Sequence, residues 1–519
     1  MCINTNRETP PSTRTDSTTS PSNHETEAVS RIVTSPSKIM TRLDVAECSD
    51  PDSLCLLIIG DSVYDCTRWQ NNHPGGHLTV RALSGKDATD SFGGTHPRWV
   101  RERMLNKFMY AKLEPDKASV QSTGCTDRVD CLDSETEDNT AVLPRPLGVK
   151  DDETTLAFRL LTKKMEDAGL FETDYSFYYK KMGIYTGLFL LILAGVFLSE
   201  QLVVHAISGA LLGIFWQQMA FIGHDLGHNA VTHNRLYDSY LGLFVGNFCT
   251  GISIGWWKRS HNVHHIATNS CTYDPDIQHL PVFAVDPILI TKKLFSTYAG
   301  IYMPLSDVAH LLVKFQHWLY YPVMAFARFN LYVQSFNHAL RLSYYGSAGD
   351  LIWRQNLQIA SLAGFWSWLV ALTLSLPTWK SRLLFFLPAH MVAGILHVQI
   401  TLSHFPMETY TGVTYDDSMN GYLRTQLATT LDVDCPTAMD WFHGGLQFQV
   451  EHHLWPRLPR HNLRHVKDIL VAFCKEHELV YNQASFFKAN CMVVTTLKET
   501  AKSTKKFSEL FHESANLMG

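Results

Sequence analysis

The sequence predicts a small α+β domain followed by an all-α integral membrane domain of about four transmembrane helices in two hairpins. Three observations predict it. Short strand-like apolar runs and a Gly-rich turn occupy residues 41–115. Four long apolar stretches lie at 182–198, 202–222, 357–376 and 383–402. Three histidine clusters at helical spacing lie outside those stretches, where a shared site would need them.

Composition supports the division. The chain has 519 residues, more than one typical domain. Charged residues make up only 18% and hydrophobic residues 45%, a balance that leans towards a membrane protein. A net charge of -5 gives no sign of nucleic-acid binding. The 11 cysteines include no C-x-x-C pair and read as reduced thiols. The N-terminus has no apolar core, so it is not read as a secretory signal.

Residues 1–40, rich in Ser, Thr and Pro, are expected to be a disordered tail. Residues 41–115 form the small domain, with Leu56-Leu57-Ile58-Ile59 running into the Gly60-Asp61 turn. Residues 116–155 are acidic and polar and read as a solvated linker, on which a tethered domain can swing and dock. Residues 156–519 form the membrane domain. About 20 helical residues cross a bilayer core, and the stretches pair into two hairpins across short gaps. A weaker stretch at 240–255, holding Cys249, is interfacial on this reading. Lys180 and Lys181 favour a cytosolic start, whereas Lys380 and Arg382 in the second hairpin's turn run against that orientation.

The small domain carries His73-Pro-Gly-Gly-His77, then Gly85-Lys86-Asp87-Ala88-Thr89-Asp90, then His96. Glycines let the backbone turn tightly against a flat cofactor. This segment resembles cytochrome b5 over about 70 residues, by the turn and by the Gly-Lys-Asp-Ala-Thr-Asp run. The resemblance implies haem b, with His73 and His96 as axial ligands. An iron ligated twice has no open position and carries electrons instead of binding oxygen. His77 matches no ligand position. Gly93-Gly94 departs from the pattern, where a bulkier residue is common.

The clusters are His224-Asp-Leu-Gly-His228, His261-Asn-Val-His264-His265 and Gln449-Val-Glu-His452-His453. Residues three and four apart share a helix face, so each cluster points its imidazoles together. Two complete hairpins place all three on one side of the membrane, the side of the small domain. His404 is read as a further ligand. His397, seven residues earlier, reads equally as a ligand or as a packing histidine. Asp225, Asn262 and Glu451 either orient the imidazoles or lie on ordinary helix surfaces. Trp256, Trp257 and the Asp274-Pro275-Asp276 turn either line a tunnel mouth or sit at the membrane interface.

Imidazole suits iron, zinc and copper alike. An attached one-electron carrier is of no use to a redox-inactive zinc site, so the metal is inferred to be two non-haem iron ions. The segments GISIGWWKRSHNVHHIATNS, DPDIQHLP and GGLQFQVEHHLWPRLPR resemble the front-end desaturases, membrane di-iron enzymes with a fused cytochrome b5 domain. The resemblance covers most of 41–490, and Gln449, where other membrane desaturases have histidine, is its most specific marker. It implies oxygen-dependent removal of hydrogen from a saturated C–C pair of a lipid. Electrons would come from NADH through a cytochrome b5 reductase, at the endoplasmic reticulum with the histidines facing the cytosol. Iron would be held by His224, His228, His261, His264, His265, His452 and His453, with Gln449 an open case. GISIGWWK, YDPDIQHLP and LYYPVMAFARFNLYVQS look more like the sphingolipid Δ8 long-chain-base branch than the fatty-acyl branch. A hydroxylase or triple-bond-forming enzyme on the same scaffold, and a membrane haem protein without catalysis, are the other readings.

Overall fold

The computed structural model describes residues 38–114, 153–341, 355–413 and 421–517. The tail (1–40) and linker (116–155) expectations fall mostly on 1–37 and 116–152, outside the described residues; each runs a few residues too far, since Ile39–Met40 pairs as a strand with Lys112 and Leu113 and Glu153 opens a helix.

The small domain is built on a four-stranded sheet. Its strands are β1 (Ile39–Met40), β2 (Leu56–Ile59), β3 (Ser62–Asp65) and β4 (Met109–Leu113), in the order β1-β4-β3-β2. The Gly60-Asp61 pair turns β2 back on β3, with Ile59 opposite Ser62; Gly60 takes the positive φ that this turn needs. Met40, Val45, Leu56, Ile58, Val63 and Ala111 form one core. Leu57, Ile59 and Tyr64 alternate to the other face, as a pleated strand requires. That second core does not end with the domain. It continues into Ile266, Tyr422, Phe448, Leu454 and Trp455, so the small domain is docked on the helical domain.

Four helices are long and apolar enough to cross a membrane: Tyr175–Phe197, Leu202–Gly227, Asn356–Leu374 and Trp379–Leu402. The first starts seven residues ahead of its apolar stretch because Asp174 caps it, accepting from the Ser176 N–H at 2.9 Å. The second and fourth approach backbone to backbone. A Cβ at Gly209 would meet the Phe385 carbonyl carbon at 2.8 Å, and one at Gly213 the Ala389 oxygen at 2.6 Å. Small residues at a helix crossing are how apolar helices associate where lipid offers no hydrophobic drive. The fourth span contains Pro388 and breaks at Gly394 into Trp379–Ala393 and Ile395–Leu402.

Arg382, puzzling as a positive charge in that hairpin turn, caps the third span. Its guanidinium donates to the Leu376 and Leu374 carbonyls at 3.2 and 3.0 Å. The weak 240–255 stretch is a helix, Arg235–Gly242, running into a π-helical turn, Leu243–Thr250. It leaves Tyr240, Leu241, Phe244 and Phe248 exposed, while the Trp368 indole of the third span donates to the Phe248 carbonyl at 2.8 Å.

Candidate metal centre and haem pocket

In the small domain, Gly76 holds φ 97 and launches the His77–Ala82 helix. His73 thereby turns inward, and its ring centroid lies 5.8 Å from that of His96. Each Nδ1 is tied to a backbone carbonyl: His73 to Gly76 at 3.2 Å and His96 to Phe92 at 3.3 Å. With the proton held at Nδ1, each Nε2 keeps its lone pair for a metal. A Cβ at Gly75 would come within 2.8 Å of the His73 ring, so a larger residue there would push that ring aside. The pocket fits a haem held by two imidazoles. His77 begins the helix and is not part of the facing pair.

The three histidine clusters converge. The second span runs on to Gly227, so His224 lies on its last turn and His228 caps it. His261, His264 and His265 lie on the Ile254–Ile266 helix, capped by Ser253. His452 and His453 lie on Gln449–Leu454. The ligand atoms of His224, His228, His261 and His452 lie within 4.8 Å of one another, and those of His264, His404 and His453 form a second such group. His265 stands between them, its ring 4.7 Å from His228 and 4.3 Å from His453. Gln449 lines the same pocket as His224, His228 and His452, and its side chain hydrogen-bonds His404. His397 is buried in the fourth span and joins neither group.

Electrostatics prepare these rings for metal. Burial pushes His228, His265, His452 and His453 well below the ordinary imidazole range, helped by the neighbouring imidazoles. Burial likewise takes His261 and His404 down to about 3. Neutral imidazoles are the form that binds metal. His264 runs the other way: burial opposes its charge, but Asp274 and Asp276 outweigh it and hold it at about 9. Nε2 of His228, His452 and His453 and Nδ1 of His265 are buried without a hydrogen-bond partner among the described residues. Orphaned buried nitrogens of this kind are what metal ions satisfy, so the residues fit two metal ions.

The supporting residues include some that the sequence marks beside the clusters and others, such as Gln426, carried in from distant segments. His264 Nδ1 lies 2.9 Å from Asp274, and Asp276 lies 3.7 Å from His261, so the Asp274-Pro-Asp276 turn braces the second cluster. His453 Nδ1 meets the Gln426 carbonyl oxygen at 3.1 Å, and the Gln426 amide donates to the His265 carbonyl. Trp257 packs against the clusters themselves. It stacks on His261 at 4.3 Å and reaches the His224 ring at 5.2 Å. Gly227, inside the first cluster, exists for that ring, since any Cβ there would overlap it.

The three polar residues inside the clusters divide. Asp225 accepts from Tyr178 at 3.0 Å and lies 3.2 Å from Arg460, which fixes the end of the second span. Glu451 faces Asp432 and Tyr481, whose hydroxyl lies 2.8 and 2.6 Å from the two carboxyls. One hydroxyl has one hydrogen, so a carboxyl must return the other bond. Burial accordingly holds Glu451 well above its ordinary value. Asn262 points away from the imidazoles, into the haem-binding domain.

Fold and site together define a membrane-embedded oxidoreductase with a multi-histidine metal centre and a built-in haem domain. Residues 41–114 match the Cytochrome b5-like Heme/Steroid binding domain and residues 201–485 match Fatty acid desaturase. The chain belongs to the fatty acid desaturase family. A Delta 8-(E)-sphingolipid desaturase of Emericella nidulans is 35% identical, covering 88% of this chain and 93% of its own length. A Delta(8)-fatty-acid desaturase of Borago officinalis is 38% identical over 85% of this chain and 90% of its own. An Acyl-lipid (9-3)-desaturase of the same plant is 33% identical over 91% and 95%. The protein is therefore a front-end desaturase that binds haem in its cytochrome b5-like domain and non-haem iron at its histidines.

Proposed function

We propose that the protein introduces a double bond at the eighth carbon of a sphingolipid long-chain base. The observation that carries this reading is the likeness, along nearly the whole chain, to Δ8-sphingolipid desaturases such as that of Emericella nidulans. In this reading His224, His228, His261 and His452 hold one iron, His264, His404 and His453 the other, and His265 lies between. Gln449 stands beside them as a weaker amide ligand. Oxygen is the oxidant, and an NADH-dependent cytochrome b5 reductase recharges the haem. The protein resides in the endoplasmic reticulum, with the haem domain and the histidines on the cytosolic side.

When bound, the iron pair supplies the oxidising power to break two unactivated C–H bonds. The chain's own residues position it. Asp274 keeps the proton of His264 on Nδ1, Gln426 does the same for His453, and Trp257 keeps the ring of His261 in place. Burial keeps His228, His265, His404 and His452 neutral. The bond position follows from where the lipid's polar head is held relative to the metals.

The test is lipid analysis after expression in a host lacking both Δ8-unsaturated bases and polyunsaturated acyl chains. Sphingoid bases and fatty acids are measured by mass spectrometry from the same cells. A new bond in the long-chain base is expected. A new bond only in supplied fatty acids would replace this reading with the acyl one, which the acyl-lipid relative represents.

A further inference from the structure

Two short bridges join the haem-ligand segments to the metal-binding helices. Gly75 lies two residues beyond His73, and its carbonyl accepts from the Asn262 side chain at 3.1 Å. Asn262 is the immediate neighbour of His261. On the other side, Gly94 lies two residues before His96. Its Cα faces the Leu454 carbonyl so closely that a Cβ would overlap it, and the same Cβ would lie 3.3 Å from the Tyr422 hydroxyl. Leu454 is the immediate neighbour of His453, and Tyr422 donates to the His453 carbonyl at 2.6 Å. One bridge therefore reaches the first histidine group and the other reaches the second. A bidentate ion pair steadies the contact: Arg159 donates to Asp90 at 2.6 and 3.1 Å, with both partners mostly buried.

We propose that Gly94, Asn262 and Tyr422 are positioning residues that lock the haem domain in an electron-delivering pose, with each haem-ligand segment wired to one metal group. The proposal rests on the ligand assignment above. Each passage oxidises one ferrous haem and reduces one ferric ion, and no bond is made or broken. It also accounts for Gly93-Gly94, the departure from the cytochrome b5 pattern. The second glycine is small because another chain segment's backbone lies against it. The first is not so constrained, since a Cβ at Gly93 would meet only the flexible end of Arg101, at 3.3 Å.

The test uses the full chain, loaded with haem and iron, in lipid nanodiscs. Gly94→Ala and Asn262→Ala are compared with Gly93→Ala. Two quantities are read: amide hydrogen exchange over residues 73–77 and 254–266, and the rate at which pre-reduced haem reoxidises in a single turnover. Gly94→Ala and Asn262→Ala are expected to raise exchange in both segments and to slow reoxidation severalfold, because electron transfer weakens steeply with separation. Gly93→Ala should match the wild type. Unchanged exchange and reoxidation in both altered proteins would overturn the proposal. If Gly94→Ala loses its haem, Asn262→Ala, which lies outside the haem domain, decides by the same two readings. Iron near zero in the unaltered protein would count against the ligand assignment while leaving the exchange comparison to test the lock; iron retained with exchange raised supports the lock.

Discussion

Gly227→Ala tests how tightly the metal centre is built. A methyl group at this position would lie 2.7 Å from Cε3 and 2.9 Å from Cη2 of Trp257, with Cζ3 nearer still. Ordinary contact begins near 3.4 Å, so the indole must withdraw by about 1.4 Å at Cζ3. It cannot withdraw alone, because it stacks on His261 and touches His224 and His228. Overpacking of this kind costs about 1–3 kcal/mol, and a displacement of about 1 Å in ligand geometry costs up to about a hundredfold in rate. Iron content by mass spectrometry and new double bonds in cellular lipids provide the assay. Iron should fall and product should drop at least about tenfold, while haem absorbance stays at the wild-type level. Trp257→Leu, which removes the obstructing ring, should restore part of both when combined with Gly227→Ala. Full iron and full product in Gly227→Ala alone would refute the packing argument.

Three further outcomes follow from other parts of the molecule. His73→Ala should abolish haem absorbance and product formation while iron content is retained, as read by absorbance and metal analysis of the same preparation. Gln426→Leu removes one of the two oxygens beside His453 Nδ1, the other being the Thr268 hydroxyl, together with the donor to the His265 carbonyl, and should weaken iron binding about 10–100-fold in a chelator competition. Asp238 is held up at about 6 by burial, against an ordinary 3.8 and despite two bonds from Thr232. Its folded value is the higher one, so its contribution is full below about pH 4 and is lost as pH rises through about 6. Asp238→Asn should therefore raise the apparent melting temperature at pH 8, by up to ~3 kcal/mol of stability, and give no gain at pH 4. An equal change at both values would show that burial is not the cause.

Much of this centre could be read from the sequence, for a physical reason. Ligands at i, i+3 and i+4 share a helix face, so His261, His264 and His265 announce themselves through local spacing. The four spans are equally legible, because crossing a bilayer takes one long apolar run each. What local spacing does not carry is who supports whom. Gln426 lies 27 residues from His453, and Arg460 lies on the far side of the third cluster from Asp225. Glu451 and Asn262 were legible as polar residues inside metal-binding motifs, but not in direction. One faces a tyrosine and a second carboxyl, the other a glycine carbonyl of the haem domain. His397 and His404 look alike in sequence, yet the helix ends at Leu402, and only the residue beyond that end turns into the cluster.

The separation of the clusters along the chain also sets a timetable for biosynthesis. The first imidazoles leave the ribosome with residue 228, and the groups close only when residue 453 arrives. At about 5–20 residues per second, that interval lasts roughly 10–45 s. Throughout it the nascent chain holds unclosed imidazole donors on one inserted hairpin, while its haem domain is already synthesised. Both ligand groups are therefore complete only late in synthesis, and a truncation before residue 452 would leave the earlier histidines as an incomplete set.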